Sequence, residues 1–334
     1  MTGSSSVQPP APSAASAAAT AAERRGLLFG LLGVAAFAVT LPATRLAVAE
    51  LPVWGVGFGR GALAGLAALA LLLVLRPPRP RRRDLPALAL TSLGVVFGFP
   101  LLTTWAMQSV PAAHGGVVIG ILPLATALAG ALVAGERPST GFWGTALLGS
   151  VAVIAFALLD APAGPRGALP GATRSGPTLS AGDLALLAAV AAAALGYAQG
   201  ARLSQRLPGW AVISWALVLA LPVMLPAALL SWLAAPGAWS TASAAAWSGF
   251  VYLALISQLA GFFAWYRGLA LGGVARVGQI QLLQPFLTLI AAAWLLAEPI
   301  TAATLVFASL VVGLVALGRR QPVRRRPAGS EGDA

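Results

Sequence analysis

Cysteine is absent from this chain of 334 residues, which excludes disulfides, thiolate metal sites and cysteine nucleophiles. Histidine is nearly absent too: with His114 alone, a transition-metal site lacks its usual ligands. No lysine occurs, and all 21 basic residues are arginine against nine acidic ones, a net charge of +12. Charge as a whole is scarce, at 9 % of residues, whereas a soluble protein keeps about a quarter of its residues charged. What fills the chain instead is apolar: 58 % hydrophobic residues and a mean hydropathy of +0.86. That leaves too little polar surface to coat a water-soluble globule, so the composition predicts a polytopic membrane protein. The arginine clusters lie between or beyond long apolar runs, where they set orientation rather than bind nucleic acid.

A hydrocarbon core of about 30 Å needs about 20 residues of helix. Against that length the apolar runs give ten spans: 26–48, 54–75, 86–107, 112–134, 141–160, 182–200, 210–233, 246–266, 272–296 and 300–318. Most connections are short, so consecutive helices are antiparallel neighbours. A Gly/Pro/Ser-rich linker, 161–181, divides the spans five and five, as 26–160 and 182–318. Residues 1–25, rich in Ser, Ala, Pro and Thr, read as a disordered tail, and 319–334 as a basic one. The Arg24-Arg25 pair follows the polar segment and precedes a long apolar run, unlike a signal peptide. With a cytoplasmic N-terminus, seventeen arginines fall inside, Arg45, Arg166 and Arg174 fall outside, and Arg60 lies within a span. The positive-inside rule then places both termini in the cytoplasm of a bacterial cell membrane and the linker outside.

The two halves resemble each other. Residues 113–136, "AHGGVVIGILPLATALAGALVAGE", align without gaps on 275–298, "ARVGQIQLLQPFLTLIAAAWLLAE". The alignment pairs Gly116 with Gly278, Pro123 with Pro285, Thr126 with Thr288 and Glu136 with Glu298. A weaker match joins "TLPATRL" from Thr40 to "YAQGARL" from Tyr197, which share an Arg-Leu, Arg45-Leu46 and Arg202-Leu203. Five spans per half make matched segments run antiparallel through the membrane, an inverted repeat of the kind found in secondary transporters.

With these motifs the sequence is similar to the EamA-type branch of the drug/metabolite transporter superfamily. That family has ten helices in two five-helix repeats, each with a proline about thirteen residues before a glutamate in its fourth helix. Pro123 with Glu136 and Pro285 with Glu298 match it, as does Arg60 in "GFGRGALAG" of the second helix. The resemblance covers residues 26–318. It implies an all-α membrane protein that exports, or in some members imports, small metabolites, and it singles out no substrate. The reading favoured is an exporter of a small organic metabolite (amino acid, aromatic or drug-like) working by alternating access, with no cofactor expected. Its partners would be a small-molecule substrate and the lipid bilayer.

Polar residues inside the spans mark the candidate site. Proline lacks the N–H that bonds the carbonyl four residues earlier, so Pro123 and Pro285 are expected to break their helices and to free the carbonyls of Ile119 and Gln281. A carbonyl left bare in lipid costs several kcal/mol, so each should face a helix, water or substrate. Gln281 and Gln284 are three apart, roughly 60° around a helix, so one face presents both while Gln279 points elsewhere. A substrate-facing role is favoured for that pair over bonding between helices. Gln258, Ser257, Trp265, Tyr266, Thr103, Thr104, Trp105 and Gln108 are further candidates from the third and eighth spans, the aromatics fitting an interface belt as well as ligand contact. Arg60 either snorkels to the surface or meets an anionic group. Glu136 and Glu298 sit at membrane boundaries, where each carboxylate would favour the N-terminus of the helix that follows it.

Other chemistries fit poorly. Gly57-Phe-Gly59-Arg-Gly61-Ala62 follows no strand, so helix packing explains it better than a dinucleotide. Ser180-Ala-Gly-Asp183 lacks the first glycine of intramembrane aspartyl proteases, and no partner aspartate lies within a span. An intramembrane enzyme or a non-transporting scaffold remains the alternative; flux of solute separates both from a carrier. No acidic residue sits at mid-depth in any span, so the usual proton-relay carboxylate is missing.

Overall fold

The structure is a computed structural model that describes residues 14–134, 137–159, 179–272, 277–320 and 323–324. The greater part of the linker, Glu136, and most of both tails lie outside the described residues, and so does the side chain of Gln279. Within them each expected span is helical, in several cases with a short break. The first span comprises Ala14–Ala38 and Thr40–Val48, the second Val53–Leu75, and the third Leu85–Ser92, Leu93–Gly98 and Phe99–Ala106. The fourth comprises Ala112–Ile119 and Leu122–Ala134, and the fifth is Thr140–Leu159. The sixth is Ala181–Leu203, the seventh Gly209–Ala234, and the eighth runs through Ala244–Val251, Tyr252–Ala260 and Gly261–Gly272. The ninth joins Gly278–Leu283 to Gln284–Leu296, and the tenth is Ala302–Arg320. Among the described residues seven helices are long and apolar enough to cross a membrane unaided, with shorter apolar helices in the fifth, ninth and tenth spans. A helix satisfies every backbone polar group within its own segment, as lipid requires, which is why the apolar runs fold this way.

Two boundaries differ from expectation. The first helix starts at Ala14, well before residue 26, because the alanine-rich segment that follows has the highest intrinsic helix propensity. Within the C-terminal tail, Val323–Arg324 pairs antiparallel with Arg137–Pro138, a two-residue ladder.

The packing shows the duplication directly. The second span lies along the seventh, the fifth against the tenth, and the fourth crosses the ninth. The first lies along the eighth and the third along the sixth. Exchanging each span for the one five later maps this set of neighbours onto itself. The close approaches also fix direction: Gly33 meets Trp265 and Gly268 meets Gly30, so the first and eighth spans are antiparallel. Gly116 meets Thr288 and Gly120 meets Pro285, so the fourth and ninth spans, which match in sequence, run oppositely. The repeat is inverted. At Gly116 an added Cβ would come within 2.7 Å of Thr288 Cγ2, so glycine lets the crossing close.

Matched spans are also irregular at matched places. The third and eighth each contain a π-helical segment, Leu93–Gly98 and Tyr252–Ala260. Such widened turns are frequent at functional sites, because the extra residue re-aims side chains and carbonyls. The fourth and ninth are each interrupted before their proline. These four irregular stretches converge on the middle of the bundle.

Candidate functional site at the repeat interface

Pro285 occupies the first turn of Gln284–Leu296, and Pro123 is the second residue of Leu122–Ala134. There a proline costs little, since the first N–H groups of a helix have no intrahelical partner. The helices therefore restart at the prolines rather than bend through them. One expected consequence is corrected: the Gln281 carbonyl is not left bare, because the Gln284 N–H bonds it in the tight turn that ends Gly278–Leu283.

Around these breaks lie two adjoining pockets that share Phe37, Thr40, Phe99 and Gln284. One is bounded by Pro123, Pro285, Gln281 and Thr288, the other by Arg60, Ser257, Gln258 and Tyr197. Each has about 10 Å³ of free space, room for roughly one water. Gln281 is fully buried, and neither its Nε2 nor its Oε1 has a hydrogen-bond partner among the described residues. Gln284 is half-buried and faces both pockets.

Arg60 does not snorkel. It is 1 % exposed, and its Nη2 donates to Ser257 Oγ at 3.2 Å. Ser257 Oγ in turn lies 2.8 Å from Thr40 Oγ1. Nε and Nη1 of Arg60 have no partner among the described residues. Gln258 is tied more fully: its Nε2 donates to the Val95 carbonyl at 2.7 Å, joining the two π-helical segments across the repeats. Its amide therefore links helices as well as facing the cavity. Thr288 Oγ1 donates to the Ala38 carbonyl at 2.9 Å, beside the break between the two parts of the first span.

The remaining candidates lie elsewhere. Thr104 is buried and donates to the Pro100 carbonyl of its own helix at 2.6 Å. Gln108 is exposed in the turn after the third span, where its amide bonds the Trp105 carbonyl. Trp265 and Tyr266 do not form an interface belt; both are buried in the core. Trp265 packs beside Phe37 and Tyr197, and Tyr266 packs at a tilt on Phe262 and against Gly200. Neither lines the two pockets. Sequence reasoning missed Phe37, Thr40 and Phe99, although Thr40 begins one of the repeated segments and carried that signal.

At one end of the bundle, polar contacts cross between the halves. Glu298 does not serve the helix that follows it: its carboxylate accepts the Ala112 N–H at 3.0 Å and the Ala113 N–H at 2.8 Å. It thus caps the fourth span, in the other repeat, where the helix dipole favours an anion. Arg45 completes this junction, with Nε 3.4 Å from Glu298 Oε1 and Nη1 bonded to the Met107 and Val110 carbonyls. Next to it, His114 Nε2 is 2.8 Å from Asp183 Oδ1, both buried. Asp183 and Ser180 form a capping box at the start of the sixth span, which accounts for the Ser-Ala-Gly-Asp run without protease chemistry. At the same end Glu50 accepts from the Ser243 hydroxyl and N–H, both at 2.6 Å, and these bonds hold its carboxyl below the usual range.

Comparison with known proteins agrees with this architecture. The chain is 45 % identical over 295 residues to "Uncharacterized transporter YdeK" of Bacillus subtilis (strain 168), covering 88 % of this chain and 97 % of that one. It is 30 % identical over 303 residues to the "Probable terminal-alkyne amino-acid exporter" of Streptantibioticus cattleyicolor, covering 90 % and 96 %. A solved structure titled "Crystal structure of protein" has the same fold, with a TM-score of 0.54 at 20 % identity over 88 % of this chain and 96 % of that one. The model of the EamA-like transporter family matches residues 24–158 and 180–318, one match per repeat. An inverted pair of five-helix repeats, enclosing polar groups at their interface, is thus the framework of a small-molecule carrier, and the chain belongs to the EamA-like transporter family of the drug/metabolite transporter superfamily.

Proposed function

We propose that the protein exports a small, partly polar organic metabolite, of amino-acid, aromatic or drug-like character, by alternating access around the cavity at the repeat interface. The observation that carries this reading is Gln281: a buried amide on a residue that lines the cavity, with neither its donor nor its acceptor bonded among the described residues. A polar group left unpaired inside a protein costs free energy, about 1–3 kcal/mol, so a ligand that completes its bonds gains affinity there. The cavity is bounded by both repeats, so rocking one half against the other would expose it to each face in turn. The exporter named among the relatives supports outward movement of a small organic molecule. In the cell the protein would sit in the cytoplasmic membrane with both termini inside, as the arginine distribution indicates. The arrangement of Glu298, Arg45, His114 and Asp183 would then lie at the external end and close it.

Gln284→Leu tests the site. The side chain lines both pockets, and its replacement keeps the volume while removing the polar group. Transport by the purified, reconstituted protein is expected to fall at least several-fold, with expression and thermal stability nearly unchanged. If the variant instead unfolds readily while its folded fraction transports normally, Gln284 serves helix packing and the site assignment fails.

A further inference from the structure

We propose that the cavity takes its substrate as an organic monoanion, with the carboxylate of a small acid seated on Arg60. The inference rests on the reading of the cavity as the transport site and narrows its substrate class. A guanidinium offers five N–H groups in a planar fork and stays charged. Here one nitrogen has a serine hydroxyl, and the other two have no partner among the described residues. A buried cation without a counter-charge is costly, and a carboxylate matches the fork with two parallel charge-assisted bonds.

Charge balance selects the class. Among the described residues, no Asp or Glu lines either pocket. The acidic side chains whose partners are described are engaged at the ends of spans: Glu50 with Ser243, Asp84 with Arg206, Asp183 with His114, and Glu298 with the fourth span. The cavity therefore carries one uncompensated positive charge. A monocarboxylate neutralises it, whereas a zwitterionic amino acid is neutral overall and would add an ammonium beside Arg60 with no carboxylate to receive it. Phe37, Phe99, Phe262 and Tyr197 form the apolar wall, suited to a compact aliphatic or aromatic tail, and Gln281 meets a further polar atom.

The same charge supplies a driving force. Each anion leaving a cell moves one negative charge down an inside-negative potential, and for a single charge about 59 mV sustains a tenfold concentration ratio. Export of a monoanion then needs no mid-depth carboxylate to carry a proton, and none is found in the spans.

The test uses the full-length protein in proteoliposomes adsorbed on a solid-supported membrane, with 3-phenylpropanoate and phenylalanine as probes that differ by the amino group. Uncharged acid diffusing through lipid carries no current, so the electrical signal reports the carried anion. A concentration jump of 3-phenylpropanoate should give a saturable current that the empty vesicles lack, with phenylalanine at least tenfold weaker. Arg60→Gln should weaken the apparent affinity at least tenfold with an unchanged melting temperature, and Arg60→Lys should retain part of it. Equal or stronger responses to phenylalanine overturn the proposal, as does an Arg60→Gln variant within twofold of the parent. So does a lack of current across a series of aliphatic and aromatic monocarboxylates. Counterflow of labelled phenylalanine separates the two levels: exchange that Gln284→Leu abolishes and Arg60→Gln spares keeps the cavity as the transport site while removing the anion.

Discussion

Replacing Glu298 with alanine removes a contact whose worth can be worked from its geometry. The carboxylate accepts two backbone N–H groups, at 3.0 and 2.8 Å, and is 12 % exposed. A hydrogen bond to a charged group contributes about 1.5–3 kcal/mol, and partial access to water argues for the lower end. Two such bonds give roughly 3 kcal/mol, because Glu298→Ala leaves both donors at the start of the fourth span without an acceptor. For a chain of this size that corresponds to a fall in melting temperature of about 6 °C, from a shift of roughly 2 °C per kcal/mol. Glu298→Gln keeps one acceptor oxygen and should lose about half as much. Arg45→Ala combined with Glu298→Ala should cost less than the sum of the single changes, since the two side chains meet at 3.4 Å. Thermal unfolding of the detergent-solubilised protein, followed by tryptophan fluorescence, reads all four. A Glu298→Ala protein that melts within about 1 °C of the parent would refute the cross-repeat cap, since that is far below the shift expected.

Gln258→Leu removes the bond to the Val95 carbonyl that joins the π-helical segments, and should cost about 1–2 kcal/mol in the same assay; an unchanged melting temperature would leave that bond without structural weight. Pro80→Cys and Pro170→Cys, made singly in this chain without native cysteine, test orientation with an impermeant thiol reagent on intact cells. Labelling at 170 and not at 80 is expected, and the converse would invert the topology. The Glu50 contact gives a pH dependence: its carboxyl is held below its ordinary range in the folded protein, so its stabilisation is present above that range and lost as pH falls through the lowered value. Removing the hydroxyl in Ser243→Ala should therefore flatten the acid side of a plot of melting temperature against pH, and an unaltered profile would count against the contact.

The spans, their number and the inverted duplication were legible in the sequence because they rest on local quantities. Hydrocarbon thickness fixes the length of an apolar run, and Pro123 and Pro285 fall at equal distances before their glutamates in the two halves. Arg60, Gln281 and Gln284 stood out for the same reason, since a polar residue in a span is conspicuous against leucine and alanine. Their partners were not legible. Whether Arg60 reached the surface or stayed buried depended on the eighth span placing Ser257 beside it, 197 residues away in the chain. Glu298 lies one residue before Pro299, yet its carboxylate serves Ala112 and Ala113, because the crossing of the fourth and ninth spans brings the end of one to the start of the other. Trp265 and Tyr266 resemble belt aromatics by position and become core only where the first and sixth spans cover them. The chain's composition decided that it is a membrane protein, and its repeat decided that the halves are inverted. Only the packing of one half on the other decided which polar groups are satisfied by protein and which are left without a partner among the described residues, since hydrogen bonds between distant segments leave no periodicity in a sequence.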